Sequence, residues 1–270
     1  MTTRAELHGL RVLVTRPAGQ AERLCKLIDA AGGEAFCLPA IDILDPVDSY
    51  HLESVVAALA NYDLAVFISA NAVTRGLDFI TAHGEWPANV SIATVGARSA
   101  EALTPYGLTA DLVPEQRFSS TALLALDELQ DMSGKRVVIF RGNGGREYLH
   151  DTLVERGAEV DYVEVYRRAC PVVDPEEIMP YWQPGVLDII TITSNEILQN
   201  LFDMAGIEAQ PLLRKLPLVV VGERQAALAK QLGFSHEPLL AEHASDVAIL
   251  AALKKYYLAQ RRKGAEKISP

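Results

Sequence analysis

Short apolar runs alternate with amphipathic segments along most of the chain. The first run, Leu10–Val14, is followed by a helical pattern of apolar positions that stops at Gly32 and Gly33. A second apolar run follows at Glu34–Pro39. Short apolar runs between helical patterns predict strands of a parallel sheet whose two faces are covered by helices.

The same plan is repeated later in the chain. A second β-branched run leads into a glycine-rich loop, a helical pattern and another strand, and two further strand–helix pairs also have counterparts. The matching runs are Leu10–Arg16 with Lys135–Arg141, Glu34–Pro39 with Glu159–Val165, Asp63–Ser69 with Asp188–Ser194, and Ser91–Gly96 with Pro217–Gly222. Such an internal echo predicts two α/β bodies of similar design.

Capping residues and glycines set the predicted helix ends. Ser119 and Ser120 precede a helix predicted over 123–129, and Ser245 and Asp246 precede one over 247–253. The helix that starts after the strand at Ser91–Gly96 is predicted to end near Gly107. The basic run over 254–270 predicts a frayed end, with a nucleic-acid or lipid tether as the alternative.

Composition and charge narrow the class of protein. The chain is 49% hydrophobic and 22% charged, as in ordinary globular proteins, and its net charge is −10. An acidic body repels nucleic acid on average, so no nucleic-acid partner is expected. No apolar run approaches the roughly 20 residues of a membrane span, and Met1–Leu10 lacks the apolar core of a signal peptide. We therefore expect a cytoplasmic protein without a membrane partner.

The cysteines and histidines carry no metal motif. Cys25, Cys37 and Cys170 are scattered and lack C-x-x-C spacing, which predicts neither a disulfide framework nor a zinc site. The six histidines are not paired with each other or with carboxylates at the spacing of a helical metal site. The sequence therefore predicts no metal.

Candidate chemistry concentrates where predicted strands end. In an open parallel sheet, ligands bind beyond the carboxyl ends of the strands, where free helix N–H groups attract anions. Small hydroxyl and amide residues, glycines and arginines recur there, and we predict that they bind an anionic substrate. They are Thr15, Arg16, Ser69, Asn71, Thr94, Gly96, Ser99, Arg141, Gly142, Arg146, Ser194, Asn195, Gly222 and Arg224. Simple helix capping is the alternative for Ser69, Asn71, Ser194 and Asn195.

One polar aromatic side chain stands at a strand exit. Tyr166 either packs its ring against a link between bodies or donates a proton or hydrogen bond to a leaving group. The six strand ends that carry these candidate residues have no His, Cys or Lys nucleophile, and the chain has neither a phosphate-binding loop motif nor a G-x-S-x-G elbow. These features argue against a hydrolase and give a nucleotide site little support.

In their order and spacing, these motifs resemble the uroporphyrinogen-III synthase family. The resemblance covers about residues 8–253 and rests on Val12–Pro17, Phe67–Ala72, Thr94–Gly96, Arg141–Glu147, Val165–Arg168 and Thr193–Asn195. It implies an α/β fold of two flavodoxin-like parallel-sheet domains joined by a two-stranded ladder. One domain then comprises 1–38 and 173–270 and the other 43–166, with linkers at 39–42 and 167–172. This division replaces a serial split near residue 130.

The resemblance also implies an activity. The family is a lyase that cyclises hydroxymethylbilane to uroporphyrinogen III, losing water and inverting the last pyrrole ring, with no cofactor. It implies a cleft between the domains that binds the substrate carboxylates, Tyr166 as donor to the leaving hydroxyl, and a transient handover from the enzyme that makes hydroxymethylbilane. Arg16 then either fixes the hinge or contacts the substrate.

The chain departs from the family pattern at two points. Glu223, Arg224 and Gln225 stand where many members have a threonine pair after a glycine, and Ser99 stands where threonine is common. Two other functions stay open. One is a non-catalytic two-domain protein that closes on a small anion without needing Tyr166. The other, by fold analogy, is a flavin- or nucleotide-binding module.

Overall fold

The chain folds into two compact units. The computed structural model describes residues 6–115, 119–145 and 147–266. The first unit comprises the described residues up to Asp42 and those from Ala169 onward, and the second comprises Ile43–Arg168. Each unit is built on one five-stranded sheet. The first unit is therefore discontinuous in sequence.

Short strands form the two sheets. In chain order they are β1 (Arg11–Val14), β2 (Glu34–Cys37), β3 (Asp42–Leu44), β4 (Leu64–Phe67), β5 (Ser91–Thr94), β6 (Arg136–Gly142), β7 (Glu159–Ala169), β8 (Ile189–Ile192), β9 (Leu218–Val220) and β10 (Leu239–Leu240). The strand pairs with a defined register are all parallel. The predicted α/β class with parallel sheets is thus confirmed.

Helices connect most of these strands. They are α1 (Ala18–Ala30), α2 (Tyr50–Ala57), α3 (Ala70–His83), α4 (Ala97–Glu101), α5 (Ser120–Leu123), α6 (Tyr148–Glu155), α7 (Pro175–Ile178), α8 (Asn195–Met204), α9 (Gly206–Leu213), α10 (Glu223–Gln231) and α11 (Asp246–Glu266). The longer ones bury a stripe of apolar residues spaced three or four apart, as amphipathic helices do. In α3 that stripe is Val73, Leu77 and Ile80.

The strand order reproduces the echo in the sequence. The first sheet runs β10-β9-β8-β1-β2, and the second runs β3-β7-β6-β4-β5. The four strands β9-β8-β1-β2 of the first sheet correspond in order to β5-β4-β6-β7 of the second, and these are the four pairs of matching runs. Each sheet adds one further edge strand, β10 or β3. The repeated pattern of the sequence is therefore a repeated sheet topology.

The second sheet has two different apolar faces. On one face Phe67 and Phe140 stack with their ring centroids 4.8 Å apart, and α3 packs over them. Gly76 permits this approach, because a Cβ there would be only 3.2 Å from the Phe67 ring. Val66 and Ile139 point to the opposite face, which packs against the α6 side chains Leu149 and Leu153.

Two predicted helices are interrupted. In place of one helix over 123–129, the structure has α5, which starts earlier and ends at Leu123, and a separate 3-10 turn at Asp127–Leu129. The helix predicted to run to Gly107 ends at Glu101 and is followed by a 3-10 turn at Thr104–Tyr106. In the second case Pro105 has no N–H to bond to the Glu101 carbonyl, so the α-helix stops there.

The frayed terminus expected after residue 253 is wrong for the described part. Helix α11 continues to Glu266, since aromatic residues beyond 253 still pack on the first unit. The Tyr256 hydroxyl donates to the Asp188 carbonyl at 3.3 Å, and Tyr257 stacks on His8. Lys254 pairs with Glu6. Neither α11 nor any other described helix is long and apolar enough to cross a membrane.

Candidate active site

Ser69 and Tyr166 meet at the carboxyl end of the second sheet. Ser69 follows β4 and caps α3, accepting a hydrogen bond from the Ala72 N–H at 3.0 Å. Its Oγ also lies 3.2 Å from the Tyr166 Oη. Either hydroxyl is able to donate in this contact. The capping interpretation of Ser69 is confirmed, and the same oxygen also contacts the phenol.

A β-bulge in β7 aims Tyr166 at Ser69. Arg141 pairs with Glu164, but the next residue, Gly142, pairs with Tyr166, so Val165 is the extra residue. A bulge flips the alternation of side chains along a strand. Tyr166 consequently packs in the same core cluster as Val165, on the α3 face of the sheet. Without the bulge, regular alternation would direct the phenol to the other face.

Gly142 makes room for the phenol. A Cβ at Gly142 would lie 2.5 Å from ring carbons of Tyr166 and 2.9 Å from its Oη. The ring therefore lies directly over the β6 backbone, between β7 and Ser69. Only 6% of Tyr166 is exposed, so packing fixes the position of its hydroxyl. The missing side chain of Gly142 therefore leaves space for Tyr166, a residue of the protein itself.

Arg141 lies on the opposite face and is buried. Its guanidinium carbon lies 4.4 Å from the centroid of the Tyr162 ring, and its Nη1 is 3.3 Å from the Glu147 Oε1. Burial, together with the nearby Glu147 carboxylate, raises the pKa of Tyr162 to about 12, so this phenol stays protonated at neutral pH. Gly145 adopts a φ of +127°, and a Cβ there would be 2.8 Å from the Arg141 Nη2. The guanidinium is thus held in a fixed position.

The end of β5 provides buried hydroxyls and an extended glycine. Thr94 is fully buried, and its Oγ1 has no hydrogen-bond partner among the described residues. Gly96 caps α4, and its carbonyl accepts from the Ser99 and Ala100 N–H groups. Ser99 is only 5% exposed. Substrate binding by Thr94, Gly96 and Ser99 stays a prediction.

Asn71 and Arg146 are the two other residues predicted in this part of the chain. Asn71 lies in the first turn of α3, is half-buried and has a partner of its own. Arg146 lies outside the described residues. The roles predicted for both remain predictions.

In the first unit, the end of β1 is closed by internal bonds. The Thr15 hydroxyl donates to the Thr191 carbonyl at 2.6 Å, and the residue is fully buried. Arg16 pairs with Asp246 at the start of α11 and donates to the Ala244 carbonyl at 2.7 Å. Both members of the ion pair have side chains that are only 6% exposed. The two predicted binding side chains here are therefore occupied within the unit.

The other strand ends of the first unit are more open. Ser194 caps α8 by accepting from the Ile197 N–H at 3.1 Å, and Asn195 is exposed. Gly222 caps α10 with an extended backbone, and Arg224 is exposed in the first turn of that helix. Capping by Ser194 is confirmed, whereas substrate binding by these four residues stays a prediction.

The structure thus gathers some predicted residues and separates others. Ser69, Gly142 and Tyr166 form one cluster, while Arg141 faces the other side of the same sheet. Asp246, Glu147 and Tyr162 hold the two strand-end arginines and were not predicted for that role. Asp246 carried only a capping signal, and no local pattern links Tyr162 to Arg141. Across the described residues, no group of three or more His, Cys, Asp or Glu side chains is arranged to hold a metal ion.

Comparison with known proteins points to one family. The family model described as Uroporphyrinogen-III synthase HemD matches residues 22–250. The uroporphyrinogen-III synthases of Escherichia coli (strain K12) and of Salmonella typhimurium (strain LT2) are each 34% identical over 247 residues. Each alignment covers 91% of this chain and 100% of the relative.

Solved structures agree in fold. A mutant uroporphyrinogen III synthase from the extremely thermophilic bacterium Thermus thermophilus has a TM-score of 0.60 at 21% identity, covering 93% of this chain and 100% of that chain. The uroporphyrinogen-III synthetase of Helicobacter pylori has a TM-score of 0.60 at 13% identity, covering 92% and 99%. At such identities the likeness supports the fold alone.

Proposed function

The chain belongs to the uroporphyrinogen-III synthase family, and from this premise we propose that it cyclises hydroxymethylbilane to uroporphyrinogen III. The reaction eliminates water and inverts the last pyrrole ring. The observation that carries the mechanism is the contact between the Tyr166 and Ser69 hydroxyls at the end of the second sheet. The enzyme is a lyase and needs no metal or organic cofactor under this proposal.

Substrate binding uses the helix starts. Every pyrrole ring of the substrate carries an acetate and a propionate, so the ligand is a row of carboxylates. The N-termini of α3, α8 and α10 offer free N–H groups and the positive end of the helix dipole. A charge-assisted hydrogen bond contributes about 1.5–3 kcal/mol. Three or four of them outweigh the repulsion of a chain whose net charge is −10.

Arginines add charge to these sites. Arg224 is exposed in the first turn of α10. Its long, charged side chain reaches further than a threonine side chain and pairs with a carboxylate through a charge. Arg141 is buried, and its partner Glu147 is more than half exposed, so its positive charge is only weakly compensated. We propose that Arg224 contacts a substrate carboxylate and that Arg141 contributes chiefly through its field.

Tyr166 acts on the leaving hydroxyl. In the proposed arrangement Ser69 donates to the Tyr166 oxygen, which leaves the phenol proton free to point at the substrate hydroxyl. Donation of that proton lets the hydroxyl leave as water and produces a cationic azafulvene. Loss of a proton from the last ring later balances the one that was donated.

Positioning then decides which isomer forms. Without the enzyme, the unsubstituted carbon of the last ring attacks the azafulvene and gives the symmetric isomer I. The enzyme holds the chain so that the substituted carbon attacks instead, through a spiro intermediate. The protein therefore works by orienting the substrate and stabilising developing charge, which is consistent with a predicted binding set that contains no His, Cys or Lys.

The product isomer tests the function. The full chain is incubated with freshly prepared hydroxymethylbilane, and the products are oxidised and separated by isomer. We expect isomer III as the main product, formed faster than isomer I forms without protein. Isomer I alone, at the rate of the protein-free reaction, would indicate the alternative of a non-catalytic anion-binding protein.

We further propose that the chain works in the cytoplasm and takes its substrate by transient handover from the enzyme that makes hydroxymethylbilane. Nucleic acid and membrane have no part in this scheme. In a coupled reaction, handover predicts less isomer I than the separately measured rates of the two enzymes and free diffusion allow. An isomer I yield equal to the free-diffusion value would refute it.

A further inference from the structure

Two cysteines that are distant in sequence meet in the first unit. Cys25 lies on α1, and Cys37, which follows it by twelve positions, is the last residue of β2. Their Sγ atoms are 2.7 Å apart, about 0.7 Å longer than a disulfide bond. Both are free thiols. The α1–β2 turn at Gly32 and Gly33 therefore folds the chain so that two thiols face one another.

Their surroundings differ in access to solvent. Strand β2 is the edge strand of the first sheet, and Cys37 at its end is exposed. Cys25 is half-buried on α1, next to the buried Leu24. Burial raises the pKa of Cys25, and the adjacent Cys37 sulfur raises it further. Cys37 is therefore the thiol that an oxidant in solution meets first, with Cys25 in position to react second.

We propose that Cys25 and Cys37 form a thiol-oxidation site, which closes to a disulfide on reaction with a small disulfide such as oxidised glutathione. The Cys37 thiolate attacks one glutathione sulfur, and the other glutathione leaves as a thiolate. Cys25 then loses its proton to solvent and attacks the Cys37 sulfur, releasing the second glutathione. Two protein thiols are oxidised, and one glutathione disulfide is reduced to two thiols.

The bond would tie the end of β2 to α1. Beyond Cys37, the chain is held to β1 by the Leu38 N–H, which donates to the Val14 carbonyl, and by the Ala40 N–H, which donates to the Thr15 carbonyl. A covalent link at Cys37 adds a restraint at the start of this segment. Because the native fold already holds the sulfurs together, closing the bond requires little rearrangement. The proposal is independent of the catalytic function.

Cys170 provides a matched control within the same chain. It is also an exposed thiol, and its Sγ contacts the Pro171 carbonyl at 3.7 Å, not another sulfur. The reduced full chain and the Cys170→Ser, Cys25→Ser and Cys37→Ser variants are each incubated with oxidised glutathione in the absence of oxygen. Free thiols are counted with a chromogenic disulfide, and intact mass and a peptide map locate the products.

The expected results separate the pair from the single thiol. The Cys170→Ser variant loses both thiols and two hydrogens in mass, and its peptide map shows Cys25 joined to Cys37. Cys25→Ser and Cys37→Ser each keep one cysteine of the pair together with Cys170, and they instead carry glutathione as stable mixed disulfides or stay reduced. A Cys170→Ser chain that keeps glutathione on Cys37 while Cys25 stays reduced would overturn the proposal.

A titration measures the contribution of the fold. The folded Cys170→Ser chain is expected to reach half closure at an oxidised glutathione concentration at least tenfold lower than the same chain unfolded in urea, at one fixed concentration of reduced glutathione. Dithiothreitol should restore both thiols in each sample. Equal midpoints for the folded and unfolded chains would overturn the claim that the native structure prepares the pair.

Discussion

The two units share one hydrogen-bond arrangement at the amino ends of their matching strands, which we call the shared frame. Arg11 opens β1 and Arg136 opens β6, and each donates its backbone N–H to an aspartate that precedes the neighbouring strand. The Arg11 N–H donates to Asp188 at 2.8 Å, and the Arg136 N–H donates to Asp63 at 2.9 Å. These contacts set the strand register in the same way twice. They belong to folding and not to the chemistry of either unit.

The carboxyl ends of the same strands differ. Arg16 and Arg141 occupy matching positions and are both buried. Arg16 is neutralised by the buried Asp246, whereas Arg141 faces Glu147, whose side chain is 58% exposed. Water screens an exposed partner, so Arg141 is less well compensated than Arg16. The Arg16–Asp246 pair holds a helix against the sheet, and we propose that the field of Arg141 acts on a ligand.

The strands that follow differ in register. Strand β2 pairs with β1 without interruption, from Glu34 to Cys37. Its counterpart β7 shifts at Gly142 and presents Tyr166 to Ser69. In parallel sheets ligands bind at the carboxyl ends of strands, so variation there changes function while the rest of the sheet stays the same. The second unit therefore carries the proton donor in our account.

Removing the Tyr166 hydroxyl should have the largest effect. In Tyr166→Phe the ring still packs over Gly142, so the fold is kept, but kcat for isomer III should fall by about 10²–10⁴-fold. Stopped assays of isomer formation measure this. Tyr106→Phe, which removes a hydroxyl bonded to Asp78 in the same unit, should keep kcat. Wild-type kcat in Tyr166→Phe would remove this residue from the mechanism.

The two arginine–carboxylate pairs should contribute different amounts to the free energy of unfolding. Asp246→Asn removes the charge that is paired with the buried Arg16 and should lower the free energy of unfolding by about 3 kcal/mol. Glu147→Gln removes a mostly exposed partner and should cost less than about 1 kcal/mol. Urea denaturation of the full chains gives both values. Equal losses would contradict the contrast drawn between the two strand ends.

A methyl group at Gly142 should displace the phenol without removing it. In Gly142→Ala the new Cβ would meet the Tyr166 ring at 2.5 Å, so the ring must shift away from Ser69. A shift of about 1 Å is expected to lower kcat by about 10²-fold. Gly84→Ala is the control, because a Cβ there meets no atom within 4 Å. If both variants had the same kcat, the close packing at Gly142 would not matter for catalysis.

The smallest predicted effect is the loss of stability of the shared frame in acid. Backbone and side-chain hydrogen bonds from Arg136 and Lys135 lower the pKa of Asp63. Burial opposes ionisation of Asp188, but hydrogen bonds from Arg11 outweigh it and lower its pKa as well. Depressed carboxylate pKa values contribute stability that is present above the unfolded value of about 3.9 and is lost as the pH falls through the folded value.

Thermal unfolding at graded pH measures this contribution. Between pH values of about 5 and 2, the Tm of the wild-type chain should fall by a few degrees more than that of Asp188→Asn or Asp63→Asn. The same slope in all three chains would show that the two aspartates do not couple folding to protons.

Much of the fold was predictable because it repeats. The matching runs from Asp63 and Asp188 carry the same hydrophobic pattern, and the structure pairs the resulting strands in the same order. Local signals failed where tertiary packing decides. Tyr256 and Tyr257 extend α11 by packing on the first unit, which a basic segment does not reveal.

The candidate site was predictable only in part. Helix capping identified Ser69 and Ser194, because a serine directly before an amphipathic run is a typical helix N-cap. The bulge at Val165 in β7 left no sequence signal, because a register shift depends on the partner strand. The contact of Cys25 with Cys37 was missed for a similar reason, as it depends on how α1 packs beside β2. Residues far apart in sequence meet through topology, and spacing alone does not encode that.

The most direct test of the account is a crystal structure of the chain with uroporphyrinogen III. The distance to measure joins the Tyr166 Oη to the bridging carbon that carried the leaving hydroxyl in the substrate. We predict that this carbon lies within about 3.5 Å of the phenol oxygen, at the carboxyl ends of β4, β6 and β7. A macrocycle bound with that carbon out of reach of Tyr166 would contradict the assignment of the proton donor.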